Sequence, residues 1–137
     1  MPRIVVDYTS NLIEYDAFHP RDLLTKINKA LLDTGIFQDK EIKSIAQGHD
    51  IYAVSTEPRG RSFLAVTFRM LEGRSVEARK QVCEVIMDVL QENVSNGGWM
   101  DTEVMVEIVE IKSENYKKTF VRSQRAFEDP RGRFFRT

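Results

Sequence analysis

Two stretches of this chain, residues 2–47 and 63–111, carry the same succession of strand, amphipathic helix and strand. A chain that repeats this unit within 137 residues has few ways to fold. Crossovers between parallel strands are almost always right-handed. Two such units laid side by side therefore make one four-stranded sheet with both helices on the same face. The reading is an α+β domain in the order β-α-β-β-α-β.

The elements themselves follow from periodicity. Arg3-Ile4-Val5-Val6-Asp7-Tyr8 alternates like a half-buried strand, and the polar stretch Thr9 to His19 reads as a loop. Pro20 suits the first turn of a helix, where a missing N–H costs nothing. Leu23, Leu24, Ile27, Ala30 and Leu31 then recur at helical spacing to about Asp33, and Gly35 is the stop signal. Glu41 to Gln47 reads as a short strand, with Ile42, Ser44 and Ala46 on one side and Lys43, Ile45 and Gln47 on the other. Gly48 interrupts it, Asp50 to Ser55 resumes an extended pattern, and Pro58-Arg59-Gly60 supplies turn chemistry. Phe63 to Leu71 is apolar on both faces, as a central strand is. Ser75 is placed to cap a second helix. Its buried stripe is predicted as Val76, Val82, Cys83, Ile86, Val89, Leu90 and Val94, ending at Gly97-Gly98. Thr102 to Ile111 closes the pattern, with Val104, Val106 and Ile108 on one face and Glu103 and Glu107 on the other.

Helices on one side leave the other side of the sheet bare. Ile45, Val66 and Val109 are candidates for an apolar patch larger than a monomer carries, so assembly through the sheet is expected. A net charge of −1 gives no support for a nucleic-acid partner. No apolar run approaches the roughly 18 residues that span a bilayer, and no signal peptide opens the chain. No membrane role is expected, and a lone cysteine, Cys83, fits a reducing cytoplasm and excludes a CxxC metal site. His19 and His49 lie far apart, so no metal is expected.

The compact domain is predicted to run over residues 1–115, followed by a basic arm at 116–137. There Lys117, Lys118, Arg122, Arg125, Arg131, Arg133 and Arg136 face only Glu128 and Asp129. The arm reads either as a clasp on a neighbouring subunit, anchored by Phe120, Phe127, Phe134 and Phe135, or as a solvated terminus. Composition favours the second for residues 128–137.

Chemistry points first to Pro2. With Met1 removed, the first strand starts at a free secondary amine. An α-amino group begins at a pKa of about 7.7–8.0, and burial lowers it further, which suits a general base near pH 7. With Met1 retained, the same nitrogen is an amide and has no basicity. Arg74 precedes a helix N-terminus and can hold a carboxylate with a two-pronged guanidinium. Taken alone, it also reads as a solvated capping-region arginine. Lys43 adds a second cation or is simply solvated. If the first strand and the 63–71 strand were parallel, Arg74 would lie at the far end from Pro2. A neighbouring subunit or a different strand arrangement would be needed to bring the two together. Cys83 reads as core, His49 beside Asp50 as incidental, and Ser62 and Ser75 lack a histidine partner nearby in sequence.

Met-Pro before a short strand, Thr34-Gly35-Ile36-Phe37 after the first helix, and Gly73-Arg74-Ser75-Val76-Glu77-Ala78-Arg79 opening the second resemble the 5-carboxymethyl-2-hydroxymuconate isomerase family of the tautomerase superfamily. The likeness runs from Pro2 to about Ile111. It implies the tautomerase/MIF-like fold, a homotrimer whose sheets face a central axis, and no cofactor. It also implies a small-molecule carboxylate substrate, with Pro2 as base and Arg74 binding a carboxylate. Lys43 stands where the family has an arginine in an Ile-Arg-Ser-Arg segment, and Ile45 replaces the second arginine of that segment. The expected activity is proton movement on an unsaturated 2-hydroxy or 2-oxo acid, with hydration of an unsaturated acid as a near variant. The alternative is a trimeric binding or scaffold protein that has kept the fold and lost the chemistry.

Overall fold

The computed structural model describes residues 1–56, 59–95 and 98–123, with the backbone of 127–128 and 134–135. Four strands form one sheet: β1 (Arg3–Thr9), β2 (Lys43–His49), β3 (Arg61–Leu71) and β4 (Asp101–Ile111). Three helices accompany them: α1 (Asn11–Glu14), α2 (Pro20–Asp33) and α3 (Val76–Asn93). The strand order is β2-β1-β3-β4. β1 and β2 are parallel, as are β3 and β4, so each βαβ unit forms as its pattern predicts.

The two units meet head to tail. β1 pairs with β3 in antiparallel register, Arg3 opposite Arg69 and Tyr8 opposite Leu64. This overturns the parallel arrangement that would have separated Pro2 from Arg74. Direction at this junction depends on the path of the chain between residues 49 and 61, and no local periodicity encodes that path.

The core lies between the sheet and the two long helices. Ile4 and Val6 from β1 and Leu64, Val66 and Phe68 from β3 meet Leu23, Ile27 and Leu31 of α2 and Val82, Ile86 and Leu90 of α3, all buried. At about 1.5–3 kcal/mol for each large apolar side chain taken from water, this layer is the main source of stability. Phe68, central and without exposed surface, is the position whose truncation costs most, about 3–5 kcal/mol.

Val66 therefore belongs to the covered face, at 1% exposure, and not to the bare one. It shares parity with Leu64 and Phe68 along the strand, and all three point at the helices. On the opposite face Ile45 is 54% and Met105 37% exposed. The α3 stripe is narrower than predicted: Val76 is half exposed and Cys83 only partly buried.

Local detail departs from pattern in three further places. The predicted loop after β1 contains α1, which forms because Leu12 is drawn fully into the core. β2 begins at Lys43, Glu41 falling in a 3-10 turn over Asp39–Glu41, and continues through Gly48 to His49. A Cβ at Gly48 would sit 2.9 Å from the Tyr8 ring, so here glycine lets the neighbouring side chain lie flat across the strand. Residues 50–55 form no strand. The turn proline Pro58, the helix-ending Gly97, and the arm side chains from Arg125 to Arg136 lie outside the described residues.

Candidate active site

Strand directions decide which residues share an end of the sheet. β1 and β2 start where β3 and β4 finish, because Arg3 pairs with both Lys43 and Arg69, and Leu71 with Ile111. Pro2, Lys43, the Gly73-Arg74-Ser75 turn and the chain leaving β4 therefore converge within one subunit. A cavity of about 420 Å³ opens there, lined by Met1, Phe37, Glu41, Met70, Leu71, Glu72, Arg74, Tyr116 and Lys118.

Pro2 is buried and follows Met1, which lines this cavity; the Pro2 carbonyl accepts from the Lys43 backbone N–H at 3.4 Å. Met1 precedes it in the structure, so the Pro2 nitrogen is an amide and the free amine belongs to Met1. That amine is less basic than an ordinary amino terminus at 8.0, chiefly because burial disfavours its charged form; Lys118 and then Lys43 push the same way, and Glu41 opposes them.

Arg74 is aimed by the first half of the chain. Its Nη2 donates to the Ile36 carbonyl at 3.3 Å, and its guanidinium lies 5.5 Å from the centre of the Phe37 ring. Phe37 is buried and tilts against Phe68 at 5.6 Å. The Thr34-Gly35-Ile36-Phe37 segment thus builds the seat for Arg74. Thr34 Oγ1 donates to the Leu31 carbonyl at 2.6 Å and accepts from the Ile36 N–H at 3.2 Å. Gly35 turns the chain with φ +75°, a conformation that other residues adopt at a cost. On the other side, Ser75 caps α3 by accepting from the Ala78 N–H at 3.1 Å, and Arg79 donates to the Arg74 carbonyl at 2.7 Å. Among the described residues no carboxylate pairs with Arg74, so its charge is open to a ligand.

Lys43 is exposed at the same end of the sheet, and its ammonium donates to the Glu41 carbonyl at 2.9 Å. It acts on the amino terminus through charge and does not line the cavity. Sequence reasoning missed Tyr116 and Lys118, which line the cavity just after the 3-10 turn at Ser113–Asn115 that follows β4. The signal that would have found them is strand direction: once β4 ends beside Pro2, the residues that follow it must start there too. His49, read as incidental, pairs with Asp7 at 2.8 Å, toward the opposite end of β1.

A larger groove of about 560 Å³ lies between α3 and β4, lined by Val76, Arg79, Lys80, Cys83, Glu84, Ile108 and Glu110. Burial, and after it Glu84, raises the Cys83 thiol above its usual pKa, which keeps it protonated and a poor nucleophile. Of the residues singled out in the sequence for chemistry, Arg74 lines the smaller cavity and none lines this groove.

The family model for 5-carboxymethyl-2-hydroxymuconate isomerase matches residues 2–124. The chain belongs to that family. The match extends past Ile111 and takes in Tyr116 and Lys118, so the likeness is longer than the motifs alone suggested. A relative from Escherichia coli, 5-carboxymethyl-2-hydroxymuconate Delta-isomerase, is 29% identical over 91 residues, 66% of this chain and 71% of that protein. The crystal structure of a 5-carboxymethyl-2-hydroxymuconate isomerase from Deinococcus radiodurans R1 superposes with a TM-score of 0.74 at 26% identity, covering 86% of this chain and 88% of that one. A further 5-carboxymethyl-2-hydroxymuconate delta-isomerase structure agrees in fold, with a TM-score of 0.76 at 19% identity over 88% of this chain and 89% of its own. The sheet and its two covering helices are those of the tautomerase superfamily, and membership assigns the chain to a family of isomerases.

Proposed function

We propose that the chain, once Met1 is removed, isomerises a small unsaturated 2-hydroxy or 2-oxo carboxylic acid with the Pro2 nitrogen as general base. One observation carries the reading. A single end of the sheet holds the amino terminus, in a setting that lowers an amine's basicity, beside an arginine free of any carboxylate partner among the described residues.

In this mechanism the neutral Pro2 amine takes the enol O–H proton of a 2-hydroxydienoate. The electron pair shifts along the conjugated chain, the enol C–O becomes C=O, and the ammonium returns the proton to a distant carbon. One C–H forms, one O–H is lost, and nothing is oxidised or reduced. Arg74 holds a substrate carboxylate and offsets the negative charge that spreads over the dienolate in the transition state. Burial first, then the charges of Lys118 and Lys43, lower the basicity of the Met1 amine, and the same surroundings favour a neutral amine on Pro2 once Met1 is gone. The bare sheet face supports assembly into a trimer, in which exposed Ile45 and Met105 gain cover.

The test is direct. Intact mass establishes whether Met1 is gone, and enol-to-ketone conversion is followed by absorbance for wild type and Pro2→Ala. A processed wild-type chain that converts no dienol faster than solution does, or a Pro2→Ala chain with an undiminished rate, would refute the role of the base.

A further inference from the structure

The segment Gly73-Arg74-Ser75-Val76-Glu77-Ala78-Arg79 ends on a cation that the proposed reaction leaves without a role. Arg79 does not line the cavity at the start of β1; it borders the groove between α3 and β4. Its side chain nevertheless reaches back past the start of its own helix. Nη1 donates to the Arg74 carbonyl at 2.7 Å, and Nε lies 3.7 Å from a carboxylate oxygen of Glu110 on β4. The pairs Lys26–Asp22 and Lys29–Asp33 each lie within one helix, whereas Arg79–Glu110 links two elements and takes a backbone carbonyl as well. The turn before α3 needs such a tie. The ladder of α3 starts at Ser75, whose carbonyl accepts from the Arg79 N–H at 3.1 Å, so the Arg74 carbonyl stands one residue outside it. Apart from its chain neighbours, nothing lies within 4 Å of where a Cβ on Gly73 would stand, so packing does not fix the turn there.

We propose that Arg79 is a positioning residue for Arg74: braced against Glu110, it fixes the backbone from which the Arg74 guanidinium reaches a substrate carboxylate. The proposal rests on the carboxylate-binding role given to Arg74 above and adds a residue that touches no substrate. A guanidinium grips a carboxylate through two parallel N–H bonds only when its fork arrives at a set angle. The Ile36 carbonyl and the Phe37 ring seat the far end of the Arg74 side chain, and Arg79 holds the near end at the main chain. With both ends fixed, the fork is oriented before the ligand arrives, and a displacement of about 1 Å in such a contact is costly. Arginine suits the task because separate nitrogens of one rigid plane meet the carbonyl and the carboxylate. A lysine offers a single nitrogen for both.

The experiment compares sorbate, a conjugated monocarboxylate, with sorbamide, which puts a neutral amide of the same shape in place of the carboxylate. Affinities are measured by calorimetry at low salt on the full chain. Wild type is expected to prefer sorbate by about tenfold and Arg74→Ala to lose that preference, as for one charged hydrogen bond. Arg79→Met should cut the preference to about twofold while its affinity for sorbamide stays within about twofold of wild type, because only the aim of the fork is lost. Arg79→Lys should recover part of the preference, and Glu110→Gln should lose part of it. An Arg79→Met chain that keeps the wild-type preference overturns the proposal. So does one that loses acid and amide alike, since that marks a residue that only holds the fold. A wild type that binds neither probe or shows no preference, or an Arg74→Ala chain that keeps it, removes the carboxylate role of Arg74 and this proposal with it. Neither probe exchanges a proton on binding, so failure of Pro2 as base would leave the result intact.

Discussion

Where β1 and β2 finish and β3 and β4 begin, most polar groups are paired off, although Asn11 Oδ1 is buried without a hydrogen-bond partner. Thr9 is fully buried there, and its hydroxyl accepts from the Phe63 N–H at 3.2 Å and faces the Phe63 carbonyl at 3.4 Å. Asn11 Nδ2 donates to the Arg61 carbonyl at 2.9 Å, the Ser62 and Thr102 hydroxyls meet at 2.7 Å, and His49 meets Asp7 at 2.8 Å. At the other end, around Pro2, an amine, Arg74 and Lys118 surround an open cavity, and no ion pair among the described residues neutralises them. One end is tied together by side-chain hydrogen bonds; the other carries cations without ion-pair partners among the described residues. Residues that contribute to function and residues that contribute to stability should therefore separate by which end of the strands they occupy.

The largest effect expected from breaking that division is at Pro2. Chains that retain Met1, separated from processed ones by mass, should lose about 10²–10⁴-fold in kcat, the usual worth of a general base. Their melting temperature should hardly move, because an amide at this position takes no core contact away. Arg74→Ala comes next, with kcat/KM for a dienol acid expected to fall roughly 10–100-fold, as for loss of a charged hydrogen bond of about 1.5–3 kcal/mol. An unchanged kcat/KM would remove Arg74 from the site. The hydrogen-bonded end should behave in the opposite way. Thr9→Val leaves both backbone groups of Phe63 without the hydroxyl and should cost about 1–3 kcal/mol in chemical denaturation, with kcat within about twofold of wild type.

The smallest and sharpest effect concerns pH. The Met1 amine is held below 8.0 by burial first, then Lys118 and Lys43, and the Pro2 amine freed by excision is expected to meet the same surroundings. A base acts when neutral, so kcat/KM should rise with pH along a limb centred below 8.0, and Lys43→Met should move that limb upward. The sign for stability follows the same groups. An amine whose folded pKa is lowered binds fewer protons folded than unfolded, so stability is fully present above 8.0 and declines as pH falls through the lowered value. A limb centred at or above that of an exposed amine would mean that the terminus is not held in the cavity when the enzyme works.

Much of this was legible in the sequence where the controlling forces are local. Leu23, Ile27 and Leu31 recur at helical spacing, and alternation along Phe63 to Leu71 gave the central strand, because side-chain periodicity is set by backbone geometry. Pro2, Arg74 and the motif at 34–37 were visible as motifs. Their juxtaposition was not, since it depends on the antiparallel pairing of β1 with β3, an interaction between residues about sixty positions apart. Lys118 escaped for a related reason. Its composition resembles that of the solvated tail after it, and only the end at which β4 exits shows that it lies against the cavity. Val66 was assigned to the wrong face although its parity with Leu64 and Phe68 was already in the strand.

The contact from Arg74 to the Ile36 carbonyl and the Phe37 ring has an evolutionary consequence. Two similar half-chains could each have drifted as independent modules, yet here one half has become the gunsight for a side chain that belongs to the other. Shuffling either half with that of a distant cousin would leave a hydrophobic core able to collapse and a guanidinium pointing astray. Such hybrids should fold before they work.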